Sequence, residues 1–493
     1  MKKQILLSVV CCMVCALTTA ACGGDDDAKE TTLPVPQLVS TTPVNGATDV
    51  VSGSVAVAFV YDISIALDAT KVGGITATEC SVTGVRAAGN TLSMTAICPL
   101  EGGRVTISIP AGVVTNTQRL PAPAATLSFT VKAPAEPNPG DFETAAAAVK
   151  NMAPGWNLGN SLDAYSSSLG NNQSPEIYEK VWGQPLTDAH LMLALKEKGF
   201  NGIRIPVTWY QHMDESGRVD EPWMSRVQEV VDYVINAGMY CILNVHHDTG
   251  AHDEAWVRAN ATIYDNNHER FASLWRQIAE RFVSYGDHLL FEGYNEMLDN
   301  SFNWTRPRVS SDLQYTNRFA QDFVDAVRST GGNNKYRNLV VTTYSAAHGS
   351  DVLSGLVIPT DPCGNQSHIA VEVHSYDPWD WVNTYKKTWT AACTKVLQDM
   401  FVDLNTHIIS KGYPVIVGEY GSNGNGEVTI NGSSSTKEKG EAGRQAADMS
   451  RLCRQYGAAS FYWMGIIEGK DRAESTFRWT MEQVADSIVK VYR

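Results

Sequence analysis

Apolar and polar residues alternate differently in the two main parts of the chain. Over residues 36–133, short apolar runs typical of β-strands are separated by turn residues, and no long helical repeat interrupts them. The clearest runs are 55–60, 91–95, 105–109 and 127–131. Strands at this spacing predict an all-β sandwich of about 100 residues.

The second part, residues 145–493, follows a Pro-rich linker at 134–144 and alternates strand-like runs with helical patterns. The strand-like runs lie near Gly155, Ile203, Ile242, Leu290, Val340, Val371, Val415 and Phe461. The helical patterns are clearest over 189–198, 223–237, 271–285, 314–329 and 441–455. This alternation predicts a parallel sheet, and eight such units fit an α/β fold, the (β/α)8 TIM barrel. A doubly wound open sheet is the alternative, but residues 155–160 lack the glycine pattern of a nucleotide-binding turn.

The amino-terminal residues are predicted to export and anchor the chain. Residues 1–21 combine Lys2 and Lys3 with an apolar stretch too short to span a membrane, which is typical of a signal peptide. Small residues then lead to Cys22, and this pattern resembles the bacterial lipoprotein box, in which the cysteine carries the lipid. Plain secretion is the alternative. Residues 22–35 would be a polar tether between a lipid-anchored Cys22 and the sandwich.

Composition and charge narrow the choice of partner. Hydrophobic residues make up 43% and charged residues 19% of the 493 residues, as in ordinary globular proteins. The net charge of −14 disfavours nucleic acid as a partner, whereas neutral sugars fit. The acidic run at 25–27 resembles the tag that takes some lipoproteins to the outer face of the cell, and a solvated linker is the alternative. We therefore expect a location at the bacterial outer membrane, on the cell surface.

Six cysteines remain after the signal peptide and Cys22, and none of them forms a CxxC pair, so a structural zinc site is not expected. Export permits disulfides. The plausible bridges are Cys80 with Cys98 and Cys363 with Cys393. Cys241 lies in an apolar run and is interpreted as a buried thiol.

Polar residues stand at the predicted carboxyl ends of the barrel strands, where the active residues of such a fold lie. Those singled out are Asn157, Asn160, His246, His247, Asn295, Glu296, His374, Tyr376, Glu419 and Trp463, together with Arg204 inside the second strand. Neighbouring residues of a strand face opposite sides, so His246 and His247 are not expected to chelate a metal together. Glu296 and Glu419 would lie across one barrel mouth, which suits glycosidic cleavage. A separation of about 5–5.5 Å would indicate retention of configuration, and about 6.5–9.5 Å would indicate inversion.

Several ordered motifs in the second part resemble glycoside hydrolase family 5, the cellulase-like part of a retaining clan of barrel hydrolases. The motifs occupy 155–164, 203–209, 295–296, 374–376, 417–421 and 462–463. In the same way, residues 40–50 and 109–113 of the first part resemble bacterial Ig-like modules. We interpret this module mainly as a spacer, with carbohydrate binding as the alternative.

The resemblance to family 5 implies a role for most of the polar residues. Glu296 would be the general acid/base and Glu419 the nucleophile. Asn295 would hold the sugar 2-hydroxyl, and Arg204 would keep Glu419 ionised. His374 and Tyr376 would tune the surroundings of Glu419, His246 would hydrogen-bond the sugar, and Trp463 would stack beneath it. His247 begins a polar loop, 247–253, that could shape more distant subsites.

The function predicted is retaining endo-hydrolysis of a β-1,4-glucan: cellulose-type, mixed-linkage glucan or xyloglucan. Residues 182–185 resemble a branch of the family rich in glucanases and xyloglucanases, which favours glucan. Endo-mannanase and xylanase are rivals on the same fold. A sugar-binding lipoprotein without activity is a third hypothesis, but the intact Glu296 and Glu419 argue against it. We expect a polysaccharide substrate, a membrane anchor, a monomer, and neither cofactor nor metal.

Overall fold

The computed structural model describes residues 33–51, 53–98, 102–132, 137–171, 173–383, 388–422 and 436–493. The predicted signal peptide, Cys22 and residues 22–32 of the predicted tether lie outside the described residues. Among the described helices, none combines the length and the apolar composition needed to cross a membrane.

The described residues of the first part form ten strands. They are β1 (Leu38–Thr42), β2 (Val50–Val51), β3 (Gly53–Tyr61), β4 (Ile65–Leu67), β5 (Thr76–Thr78), β6 (Ser81–Ala88), β7 (Thr91–Cys98), β8 (Gly102–Ile109), β9 (Val114–Asn116) and β10 (Ala125–Lys132). One sheet has the order β1-β3-β7-β6 and the other β2-β10-β8-β5, while β4 pairs with β9. The four predicted runs lie in β3, β7, β8 and β10, and the all-β sandwich is confirmed.

Each of the two larger sheets buries one face in a shared core. Buried and partly exposed residues alternate strictly along β7, and its Leu92 packs in the same apolar cluster as Ile107 and Leu127 of the facing sheet. Strand β6 was not predicted, because its sequence mixes small and polar residues with only two valines and so carries a weak apolar signal.

The described cysteines are free thiols, so neither predicted disulfide is present. Cys80 and Cys98 are close, as predicted, because β6 and β7 pair with Ser81 opposite Ile97, and their thiols interact without a covalent bond. Cys363 is exposed. The Cys393 thiol instead lies 3.4 Å from the Thr390 hydroxyl. Cys241 is a buried thiol, as predicted.

The second part is a closed barrel of eight parallel strands in sequence order. The strands are β11 (Gly155–Asn157), β12 (Gly202–Ile205), β13 (Tyr240–Asn244), β14 (Leu289–Glu292), β15 (Leu339–Thr342), β16 (Ile369–Ser375), β17 (Val415–Tyr420) and β18 (Ala459–Tyr462). All eight predicted strand positions are confirmed. The open-sheet alternative is wrong, because β11 pairs with β18 and closes the ring.

Helices surround the barrel. They are α1 (Ala145–Met152), α2 (Pro175–Lys180), α3 (Ala189–Lys198), α4 (Glu221–Asn236), α5 (Ala261–Arg281), α6 (Leu313–Ser329), α7 (Ser350–Gly355), α8 (Trp379–Asn383), α9 (Ala391–His407), α10 (Thr436–Tyr456) and α11 (Glu482–Tyr492). Helix α3 agrees with its prediction at both ends, since Asp188 caps its start and Gly199 has the left-handed conformation at its end. Helix α5 begins ten residues before the predicted 271, because polar residues dominate its first turns.

Side chains inside the barrel form two unlike layers. The lower layer, at the amino ends of the strands, is an apolar cluster closed by α1. It includes Ile242, Leu290, Ala370 and Phe461. Two residues further along the same strands, the upper layer presents polar and charged side chains toward the carboxyl ends. The fold thus places its buried charges directly below the barrel mouth.

Candidate active site

Arg204 lies at the centre of the upper layer, completely buried on β12. Its guanidinium donates two hydrogen bonds to Glu292, at 2.6 and 2.8 Å. It also donates to Glu419 Oε1 at 2.9 Å, to Asn295 Oδ1 at 2.8 Å and to Asn157 Oδ1 at 3.0 Å. Burial alone would lower the pKa of Arg204, but the surrounding carboxylates raise it well above its usual range. The side chain is therefore a permanent buried cation.

Glu419, at the end of β17, is surrounded by donors. Arg204 binds Oε1, and the Tyr376 hydroxyl donates to Oε2 at 2.9 Å. His374 Nδ1 lies 3.7 Å from Oε2, and His246 Nε2 lies 4.0 Å from Oε1. Burial and the neighbouring charge of Glu419 raise the pKa of Tyr376 well above its usual range, so the phenol remains a donor. This environment stabilises a carboxylate.

Glu296, just past the end of β14, has a different environment. Its side chain is 20% exposed, and His374 Nδ1 lies 2.8 Å from its Oε1. Burial, assisted by the charge of Glu419, raises the pKa of Glu296, although His374 opposes the shift. The two glutamates thus have unlike surroundings, which favour a proton on Glu296 and a negative charge on Glu419.

The two carboxyl groups are close together. One oxygen of Glu296, one of Glu419 and a ring nitrogen of His374 all lie within 4.8 Å of one another. Retaining glycosidases have a spacing of about 5–5.5 Å, whereas inverting enzymes need about 6.5–9.5 Å to admit a water molecule. The arrangement therefore fits retention, as the family resemblance implied, and it supplies the separation that the sequence could not give.

His374 links the acid to a residue that the sequence analysis missed. Its Nε2 lies 3.0 Å from Oε1 of Glu372, which is completely buried two residues earlier on β16. Burial disfavours the charged imidazole, but Glu419, Glu296 and Glu372 outweigh it and raise the pKa of His374 to about 10. His374 is therefore an imidazolium at neutral pH. It contacts Glu296 more closely than Glu419, the residue it was predicted to tune.

One wall of the site offers flat surfaces. The rings of His246 and Trp463 are nearly parallel, with 6° between their planes and 5.9 Å between centroids. Trp463 is half-buried and lies against Gly159, where a Cβ would come within 2.9 Å of the indole. The Asn244 side-chain amide donates to His246 Nδ1, so the Nε2 proton points toward Glu419. A half-buried indole at the barrel mouth suits stacking on a sugar ring.

The prediction that His246 and His247 face opposite sides is wrong. Strand β13 ends at Asn244, so the alternation of strand side chains no longer applies, and the two rings lie 4.6 Å apart. With Asp163 they bring possible ligand atoms within 4.8 Å of one another. The Asn244 amide occupies Nδ1 of His246 and leaves a proton on Nε2, which disfavours metal binding in this tautomer.

His247 belongs instead to an aromatic cluster at one side of the mouth. Its ring lies 5.4 Å from Trp182 and 5.2 Å from Tyr165, and Tyr165 stacks on His252 at 4.9 Å. Burial lowers the pKa of His247 to about 3, so its ring is neutral. The predicted involvement of the 247–253 loop is consistent with this position.

Asn160 does not join the charge network. It lies beyond the end of β11 with a φ of 60°, and its backbone N–H donates to Asp163. Asn157, at the end of β11 itself, contacts Arg204 instead. The sequence analysis also missed Glu292 and Glu372. A charged residue inside a strand that is buried on both faces was the available signal, and it was used only for Arg204.

Comparison with known proteins agrees with the site. Residues 162–466 match the family model for Cellulase (glycosyl hydrolase family 5), and residues 34–131 match the Bacterial Ig-like domain. Endoglucanase A of Clostridium longisporum is 32% identical over 375 residues, which are 73% of this chain and 68% of that protein. Endoglucanase A of Ruminococcus albus is 37% identical over 300 residues, 56% of this chain and 73% of that protein.

Solved structures show the same likeness. The family 5 enzyme PbGH5A from Prevotella bryantii B14 is 46% identical, with a TM-score of 0.67 over 71% of this chain and 99% of that one. A mutant of it, at 45% identity, the same TM-score and the same coverage of both chains, is in complex with a xyloglucan tetradecasaccharide. A GH5-4 broad specificity endoglucanase from an uncultured bacterium is 42% identical, with a TM-score of 0.64 over 71% of this chain and 96% of that one. With a family match, a closed barrel and two paired carboxyl groups at its mouth, the chain belongs to glycosyl hydrolase family 5.

Proposed function

We infer that the chain is a retaining endo-β-1,4-glucanase. The observation that carries this conclusion is the pairing of two carboxyl groups within 4.8 Å in unlike environments, on a family 5 barrel. Donors surround Glu419 and favour its charge, while burial raises the pKa of Glu296 and so favours the protonated form that an acid needs. This is the combination that a double displacement requires.

In the first step, Glu419 attacks the anomeric carbon while Glu296 gives its proton to the glycosidic oxygen. The carbon–oxygen bond to the leaving chain breaks, and a glycosyl ester forms on Glu419. In the second step, Glu296 is a carboxylate and takes a proton from water, and the resulting hydroxide equivalent displaces Glu419. Both residues return to their starting states, and the configuration is retained.

The neighbouring residues would orient the sugar in the cleavage subsite. Asn295 accepts from Arg204 through its oxygen, which leaves its NH2 group to hydrogen-bond the sugar 2-hydroxyl. Trp463 would stack against the apolar side of the pyranose, and the Nε2–H of His246 would donate to a hydroxyl. These roles follow the family resemblance.

The substrate we propose is a β-1,4-glucan backbone, with cellulose-type chains, mixed-linkage glucan and xyloglucan as the candidates. The names of similar proteins support this choice, since they include endoglucanases, a xyloglucan-specific endo-β-1,4-glucanase and a lichenase. Mannan and xylan are rivals, and one similar Prevotella protein joins an endo-β-mannanase to an endo-β-glucanase.

Product analysis on a panel of polysaccharides tests the proposal. The chain without residues 1–21 would be incubated with carboxymethyl-cellulose, mixed-linkage glucan, xyloglucan, glucomannan and xylan, with Glu419→Ala as the control. We expect oligosaccharides from at least one glucan, initially in the β-configuration by NMR, and none from the control. A folded protein that binds these glycans without cleaving any would support the sugar-binding alternative.

We further propose that Cys22 carries a lipid that attaches the chain to the outer membrane at the cell surface, as a monomer. The support is the sequence alone: the signal-like residues 1–21 and the acidic run at 25–27. Labelling with a tagged fatty acid in a bacterial host would mark the wild-type chain but not Cys22→Ala. Failure to label the wild type would contradict the anchor, and light scattering would decide the oligomeric state.

A further inference from the structure

Four carboxyl groups share two cations in the upper layer of the barrel. The carboxyl groups are those of Glu292, Glu296, Glu372 and Glu419, and the cations are Arg204 and His374. The mechanism above uses two of the carboxyl groups and gives no role to Glu292 or Glu372. If only Glu296 held a proton, three negative charges would face two positive ones. An uncompensated charge without water is costly, and such a group takes up a proton instead.

The contacts of Glu372 show where this second proton belongs. Its Oε1 accepts from His374 Nε2 at 3.0 Å and lies 3.4 Å from Arg204 Nη2. Its Oε2 is buried, and no donor among the described residues reaches it. The carboxyl group of Glu292 lies beside Glu372, within hydrogen-bonding reach. Two carboxyl groups can share a hydrogen bond only when one of them carries a proton.

The surroundings hold Glu372 in this position. The groups that act on it electrostatically are Arg204 of β12, Glu292 of β14 and His374 of its own strand. Strand β17 meets it with Gly418, where a Cβ would come within 2.0 Å of Glu372 Oε1. The carboxyl group of Glu372 thus fills the space that a side chain at position 418 would occupy. Glu292, by contrast, receives two hydrogen bonds from Arg204 and one from Asn244, and it is the better carboxylate of the pair.

We propose that Glu372 is a positioning residue that carries a proton on Oε2, directed at Glu292, while its Oε1 holds the His374 imidazolium against Glu296. The proposal rests on the function inferred above. Glu372 would then be a neutral link in a chain of contacts that runs from Glu292 through Glu372 and His374 to the acid, Glu296.

A neutral Glu372 balances the charges in both steps of the reaction. In the free enzyme, Arg204 and His374 face the carboxylates of Glu292 and Glu419. In the glycosyl ester, Glu419 is neutral and Glu296 has become the second carboxylate, so two negative charges still face two positive charges. Burial, together with the charge of Glu292, raises the pKa of Glu372 to about 8, in keeping with this balance.

A pair of substitutions separates a neutral support from an ionised one. Glu372→Gln keeps the acceptor for His374 and cannot ionise, whereas Glu372→Leu removes the acceptor. At pH 6 we expect Glu372→Leu to lose about 10- to 100-fold in kcat/KM and Glu372→Gln to lose far less. Above pH 8, kcat/KM of Glu372→Gln relative to the wild type should rise, because only the wild type gains a buried negative charge. Thr342→Val, a buried polar change on the next strand, is the matched control for packing.

An infrared measurement tests the proton without relying on turnover. A neutral carboxyl group has a carbonyl stretch that a carboxylate lacks, so the difference spectrum between Glu296→Gln and Glu296→Gln/Glu372→Gln isolates Glu372. We expect the carbonyl band at pH 6 and its loss with rising pH near pH 8. If Glu372→Gln and Glu372→Leu are equally impaired, or if the band is absent, the proposal is wrong. If the wild type cleaves no glycan, the inferred function fails, and the infrared result still decides the state of Glu372.

Discussion

The lower and upper layers of this barrel use the same strands for opposite purposes. On β14 and β16, Leu290 and Ala370 belong to the apolar cluster, and two residues further on, Glu292 and Glu372 belong to the charge network. The lower layer is stabilised by close packing, which is non-directional and depends on volume. The upper layer depends on matching each charge with a partner, and such networks contribute little net stability. The comparison indicates that substitutions below the site should act on folding, and those above should act on chemistry.

The largest effect is expected from removing the nucleophile. Glu419→Ala should lower kcat by about four orders of magnitude or more, because the double displacement loses its covalent step. The variant should remain folded, because Arg204 keeps its two hydrogen bonds to Glu292. Azide can enter the space left by the side chain, so it should restore turnover of an aryl glycoside and yield the inverted glycosyl azide. Full activity without azide would contradict the assignment.

A smaller and substrate-dependent loss is expected at the acid. Glu296→Ala should lower the rate on polysaccharides by about 10²- to 10⁴-fold, because the leaving oxygen must depart without a proton. Aryl glycosides with good leaving groups need little protonation, and their glycosylation should be much less affected. Rates across a series of leaving groups would provide the measurement. Equal losses across the series would argue against an acid role for Glu296.

The lower layer gives the contrasting result. Phe461→Ala removes a buried ring that fills the space beside Gly155 and Gly202, and it should cost about 3–5 kcal/mol of unfolding free energy. The kcat of the protein that remains folded should stay near the wild-type value. Denaturant titration and active-site counting would separate the two quantities. A large loss of kcat at unchanged stability would contradict the conclusion that the lower layer acts on folding and the upper layer on chemistry.

The last expected effect is a dependence of stability on pH. The pKa of His374 is raised from 6.5 to about 10 in the folded protein, so the folded state binds the proton more tightly than the unfolded state. This stabilisation is fully present below pH 6.5 and is lost as the pH rises toward 10. The unfolding free energy of the wild type should therefore fall across this range, and it should fall less in His374→Gln. A steeper fall in the variant would contradict the predicted sign of the His374 contribution to the unfolding free energy.

Much of this architecture was predictable, because the signals for strands and helix ends lie within short segments of the sequence. Barrel strands are buried on both faces and appear as continuous apolar runs, so all eight were found. Helix ends were found where a capping residue and a glycine mark them, as at Asp188 and Gly199, and missed where polar residues fill the first turns of α5. Strand β6 of the sandwich was also missed, because small and polar residues outnumber its two valines.

The site was predicted less evenly. Glu296 and Glu419 were found because they follow strand ends within recognisable motifs. Both Glu292 and Glu372 contact Arg204, which is 88 residues from Glu292 in the chain, so nothing local reveals these ion pairs. Asn160 was expected in the site, but the chain turns away from the network at its positive φ. His246 and His247 were assigned to opposite faces because the alternation of strand side chains was applied to them, although β13 ends two residues before His246.

Helix α1 closes the barrel at the end opposite the carboxyl groups, and it is also the first helix after the linker. The chain therefore joins the catalytic part at its sealed base. Any tether acting through the linker would hold the barrel from this base, at the end opposite the two glutamates.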